Sequence, residues 1–161
     1  MNWQPNVEAV QFLVNELWKN QSIAQFPLVI AGLHAETLTF SNENPLIQIK
    51  GWVDDVEQFM RESGCLISPI FSGSGIRIKL LESMSLGVPC LTTTLGASGI
   101  SVQDSGLLIA DDTATFVDQI LRLATDEQVR KNAGEQARAY IKQFHNEQLV
   151  IEKLTELLGK Q

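Results

Sequence analysis

What most constrains this chain is a series of short apolar runs that do not alternate with polar residues. "FPLVIAG" (26–32), "LIQIKGW" (46–52), "CLISPIF" (65–71), "PCLTTT" (89–94) and "GLLIA" (106–110) each have the length of a strand and are bounded by turn-forming residues. A strand with one wet face alternates with period two, so continuous apolar runs call for cover on both faces. Segments with apolar residues at helical spacing separate the runs. Strand and helix in alternation predict an α/β domain, Rossmann-like, with three α/β/α layers and a mostly parallel sheet.

The helical segments are bounded by recognisable signals. Residues 5–21 carry Val7, Val10, Phe12, Leu13, Leu17 and Trp18 on one face, with Pro5 suited to the first turn. Asp54 or Asp55 opens a helix that reaches 61–63. Residues 76–86 form a helix stopped by Gly87 and Pro89, and Asp111 or Asp112 caps another that runs to 124. Further helices are expected over 126–143 and 146–158, and a short one in "AETLTF". No repeat or interdomain linker interrupts the chain, so residues 1–161 read as one domain.

The formal net charge of −7 disfavours nucleic acid and anionic membrane surfaces as partners, although an acidic domain can still hold an anion locally. Cys65 and Cys90 lie in apolar runs and read as buried thiols of a cytoplasmic protein. Two histidines and two cysteines without close spacing make no zinc signature, and no metal or cofactor is expected. No apolar run reaches the length needed to span a bilayer.

The chemistry concentrates in "SPIFSGSGIRIKLLESMSLGVPCLTT" (68–93), which runs strand, glycine loop, helix, strand. In an open parallel sheet, ligands bind beyond the carboxyl ends of strands. A helix that starts there offers unpaired N–H groups and the positive end of its dipole. Gly73 and Gly75 would let an anion approach the backbone, and Arg77 and Lys79 add charge where the dipole alone disfavours cations. The pattern is neither G-x-G-x-x-G after a first strand nor G-x-x-x-x-G-K-[ST]. On physics alone, an anion site and a plain Gly-Ser loop stand level. Glu82, three residues beyond Lys79, reads either as half of a surface ion pair or as an acceptor for two sugar hydroxyls.

At these residues the sequence resembles the family-four retaining nucleotide-sugar glycosyltransferases, in the donor-binding half of their GT-B fold. The family pattern L-E-A-M-A-x-G-x-P-V-V-x-T followed by G-A-x-G-I reads here as "LLESMSLGVPCLTTTLGASGI" (80–100). "LVIAG", "IKGWVDDVEQFM" and "GLLIADD" fall in the expected order, so the resemblance covers nearly the whole chain. It implies that Glu82 binds the nucleotide ribose. The amides of Gly73, Ser74, Gly75 and Ile76 would meet the diphosphate and donor sugar, and Trp52 and Val53 would lie by the base. The implied donor is a nucleotide-diphosphate sugar.

The sequence departs from the family pattern in places. Eight residues before Glu82 stands Ser74 and not the family's first Glu, so no catalytic residue is assigned. "NWQPNVEA" lacks the Arg and Lys that usually grip the diphosphate, a part that Arg77 or Lys79 would take over. The family's first, central strand of this half and the N-terminal acceptor domain would both precede Met1. The chain therefore reads as a fragment of a longer two-domain enzyme, with a split or oligomeric sheet and no transfer activity alone. The intact enzyme would be cytoplasmic or peripheral to the inner membrane face. The competing readings are a non-catalytic nucleotide-binding or scaffolding module and, ranked low, a receiver-like domain suggested by Asp54 and Asp55.

Overall fold

The computed structural model describes residues 3–40 and 43–145. Helix α1 (Gln4–Asn15) opens with Pro5 in its first turn and buries Ala9, Val10, Leu13 and Val14. It is shorter than the apolar spacing predicts. The chain leaves it for a 3-10 turn, Leu17–Lys19, because the buried Trp18 donates its indole N–H to the Phe26 carbonyl at 3.0 Å. A buried indole needs such a partner, and this one lies off the helix path.

Strands β1 (Leu28–Ala31) and β2 (Ile47–Gly51) pair in parallel, with Leu28 opposite Ile47. Only a 3-10 turn, Ala35–Thr37, stands where a short helix is expected. Helix α2 (Val56–Glu62) is capped by Asp55, whose carboxylate accepts from the Gln58 amide at 2.8 Å. Strand β3 (Leu66–Ser68) leads through the glycine loop to α3 (Ile78–Leu86). Gly87 ends α3 at φ 73°, where Gly87 N–H and Val88 N–H close back on Met84 and Ser83. Strands β4 (Cys90–Thr92) and β5 (Leu108–Ile109) follow. Helices α4 (Thr113–Thr125) and α5 (Glu127–Phe144) are capped by Asp112 and Asp126. The helix expected over 146–158 lies outside the described residues.

All the strand pairs are parallel, but they form two sheets, β1–β2 and β3–β4–β5. The expectation of a divided sheet is met in this sense. One hydrophobic cluster nevertheless spans both. It joins Leu13, Val14 and Leu17 to Leu28 and Ile30 of the first sheet, to Leu91 of the second, and to Phe116, Ile120 and Leu123 of α4. A second cluster packs Leu80 and Met84 of α3 against Cys90, Ala137 and Tyr140. Here α5 approaches so closely that any side chain at Gly134 would overlap the Gly87 carbonyl. Cys65 and Cys90 are free thiols, and burial pushes them up to about 11 and about 12.

Candidate functional site

Beyond β3 the backbone is held from the neighbouring strand. Thr92 Oγ1 donates to the Ser68 carbonyl at 2.7 Å, and the Thr93 hydroxyl donates to the Ile70 carbonyl. Thr93 Oγ1 also accepts from the Gly96 amide at 2.9 Å. Both threonines are buried, so the base of the glycine loop is pinned by polar groups without access to water.

The loop is built around Arg77. Gly73 and Gly75 take φ of 87° and 90°, the left-handed region that glycine enters freely. The Arg77 guanidinium lies under the turn, 5% exposed, and donates to the carbonyls of Ser74 (2.9 Å), Gly73 (3.2 Å) and Ser72 (3.4 Å). Its Nε has no partner, and the group stacks 5.2 Å from the Trp3 ring centroid. The helix begins after Arg77, at Ile78, and not at Ile76 as the sequence predicts. The amides of Gly73, Ser74 and Gly75 make no hydrogen bond among the described residues.

The start of α1 clamps the loop from the side. Ser72 donates to the Glu8 carboxylate at 2.6 Å, and Lys79 Nζ donates to Asn6 Oδ1 at 3.0 Å. A Cβ on Gly73 would lie 3.2 Å from both Pro5 and Trp3. On the other side Ile76 packs over Gly99, where a Cβ would meet its side chain at 2.8 Å. "LGASGI" thus abuts the loop as well as forming a turn. Burial, and then the neighbouring Arg77 charge, lower the Lys79 amine to about 8.

Glu82 is exposed on α3 and does not pair with Lys79 among the described residues, because the lysine reaches across to Asn6. Its carboxylate is left open to other donors. Trp52 and Val53 leave the carboxyl end of β2, in the other sheet. Trp52 is 66% exposed and donates its indole N–H to Asp54 at 2.8 Å, while Val53 is half-buried. No hydrogen bond or ring contact among the described residues links either of them to the loop. A groove of about 420 Å³ along α1 is lined by Glu8, Glu16, Gln11, Asn15, Phe12 and Phe71, an acidic wall unsuited to an anion. Motif reading gave no role to Trp3, Asn6 and Glu8, because no local signal in "NWQPNVEA" shows that its side chains meet a loop more than sixty residues away.

Parallel strands, a glycine loop ahead of a helix and flanking helices define an α/β domain of the GT-B type. The chain belongs to the family Glycosyl transferases group 1, whose model matches residues 1–126. It is 40% identical over 75 residues to N-acetyl-alpha-D-glucosaminyl L-malate synthase of Bacillus anthracis, an overlap covering 44% of this chain and 20% of that enzyme. It is 32% identical over 101 residues to an uncharacterized glycosyltransferase of Methanocaldococcus jannaschii, covering 61% of this chain and 28% of the relative. The matched stretch is thus under a third of either relative. Among solved structures it is similar to Anabaena Alr3699/HepE in complex with UDP. The TM-score is 0.69 at 16% identity, over 89% of this chain and 46% of that one. The UDP-glucose complex of the same protein superposes equally well, with a TM-score of 0.69 at 16% identity, over 89% of this chain and 46% of that one. At that identity the likeness establishes the fold.

Proposed function

We propose that this chain is the donor-binding half of a retaining glycosyltransferase, one that moves a hexosyl group from a nucleoside diphosphate to a hydroxyl acceptor. The observation that carries this reading is the row of unpaired amides at Gly73, Ser74 and Gly75, flanked by the Lys79 amine and followed by the open carboxylate of Glu82. Amides and an amine suit a diphosphate, and a carboxylate suits a pair of ribose hydroxyls. The solved UDP and UDP-glucose complexes of the structurally similar protein support a nucleotide sugar as the ligand. Trp52, exposed beside Val53, supplies a flat face for the base.

Catalysis in such a site consists of holding the donor and stabilising the charge that develops on the departing diphosphate. The loop amides and Lys79 would serve that charge. Transfer also requires an acceptor-binding surface, which we assign to a second domain. The domain would work in the cytoplasm. Among the described residues no helix is long and apolar enough to cross a membrane.

Calorimetric titration with UDP, GDP and UDP-glucose, beside a Glu82→Ala variant, tests this reading. Binding by the wild type that collapses in the variant supports a working donor pocket and names the base. Equal binding by both would remove Glu82 from the site. No binding to any of them would favour the non-catalytic scaffolding alternative.

A further inference from the structure

We propose that Arg77 is the positioning residue of the glycine loop: by drawing the carbonyls of Ser72, Gly73 and Ser74 inward it turns the amides of Gly73, Ser74 and Gly75 outward, and it does not itself touch the anion they hold. The step from carbonyls to amides follows from peptide geometry. Every peptide bond here is trans, so the C=O of one residue and the N–H of the next point in opposite directions. Carbonyls fixed on one guanidinium therefore send the three following N–H groups away from it. Successive amides facing one side form a nest, the backbone arrangement that receives phosphates.

Charge supplies a second argument. Arg77 is a cation, 5% exposed, with no carboxylate among its hydrogen-bond partners and with Nε unpaired. Buried charges are normally paired, because desolvation costs several kcal/mol that only a partner offsets. Carbonyl dipoles meet part of that need. An anion on the far face of the same peptides would meet more of it, through dipoles that the guanidinium has already aligned. Lysine, a point charge on a flexible stem, cannot reproduce a planar fork that spans three carbonyls. The role rests on the reading of the loop as a diphosphate site, but its structural part, control of where the amides face, can be tested without any ligand.

The test uses the full chain with amide-resolved NMR, and inorganic pyrophosphate and UDP as probes. In the wild type, pyrophosphate should shift the Gly73, Ser74 and Gly75 amide signals while leaving the Arg77 guanidinium signals in place. Arg77→Lys should displace those three amide signals before any ligand is added and weaken pyrophosphate binding about tenfold or more, in a domain that still folds. Unchanged loop amides in the variant, or affinity within about twofold of wild type, overturns the positioning role. A shift of the guanidinium signals on binding would make Arg77 a direct ligand and overturn it too. If neither probe binds the wild type, the donor reading fails, and the ligand-free amide signals of Arg77→Lys still decide the structural part. Should the variant fail to fold, slow hydrogen exchange of the Arg77 guanidinium in the wild type supports the pinned geometry, and rapid exchange refutes it.

Discussion

Lys79 Nζ lies 3.0 Å from Asn6 Oδ1, so a cation at the start of α3 is anchored to the first turn of α1. The contact takes the amine away from Glu82 and brings it into a partly buried setting beside the Arg77 guanidinium. Both surroundings disfavour its charge, and together they hold it at about 8.

A pH dependence follows, with a definite sign. The amine titrates near about 10.4 in an unfolded chain and at about 8 in the folded one. Between those values the unfolded state binds the extra proton, so the Lys79 contribution to stability rises with pH through that window and is flat below it. Urea unfolding between about pH 7 and about pH 10, across the window set by the two pKa values, should show this rise, and Lys79→Met should remove it. A diphosphate beside the amine favours its charged form, so binding near pH 8 should take up protons and weaken at higher pH. Calorimetry in two buffers of different ionisation enthalpy measures that uptake; zero uptake would place the amine outside the site.

On the proposed donor reading, Glu82→Gln separates the two ends of the nucleotide. The side chain is exposed, and its carboxylate has no partner among the described residues, so the melting temperature should not move. UDP affinity should fall by about tenfold or more, the worth of a hydrogen bond to a charged group, while pyrophosphate affinity stays put. Parallel loss for both ligands would place Glu82 at the phosphates.

Gly96→Ala probes the threonine support beneath the loop. A Cβ at this position would overlap Thr92 Oγ1, which is fully buried and bonded to the Ser68 carbonyl. Relieving the overlap means moving a packed strand residue, at a cost of about 1–3 kcal/mol. For a domain of this size that lowers the melting temperature by about 2–4 °C per kcal/mol, readable by calorimetric melting.

Phe116→Ala tests the shared core. The ring is fully buried and meets Phe12 edge-on at 5.6 Å, within the cluster that includes residues of both sheets. Truncation should cost about 3–5 kcal/mol in chemical unfolding. A loss below about 1 kcal/mol, well under that range, would show that the cluster does not bear the two sheets together.

Much of this was legible locally. The pairs Asp54–Asp55 and Asp111–Asp112 announce helix starts because a cap acts within three residues, with Asp55 and Asp112 as the residues that cap, and Gly87 announces a stop for the same reason. The strands were readable as apolar runs, but their ends were not: "CLISPIF" supplies only Leu66–Ser68 to the ladder, because Pro69 has no N–H to donate and the chain there turns to the threonines. The loop was found by its glycines. What Arg77 does was hidden, since a cation beside a helix start reads as a ligand for anions until the carbonyls around it are seen. The early end of α1 depends on Trp18 reaching Phe26, which apolar spacing cannot register.

The division of the strands has a mechanical consequence. Among the described residues no ladder of hydrogen bonds crosses from β1–β2 to β3–β5, and the shared apolar cluster, with side chains of α1 and α4, joins the two halves. Native-state hydrogen exchange should then resolve two cooperative units, with β1–β2 able to open while β3–β5 stays protected. The glycine loop belongs by sequence to the second unit, yet Trp3, Asn6 and Glu8 tie it to the helix that bridges both. Any slackening between the halves would therefore be felt first as a change in the loop's shape.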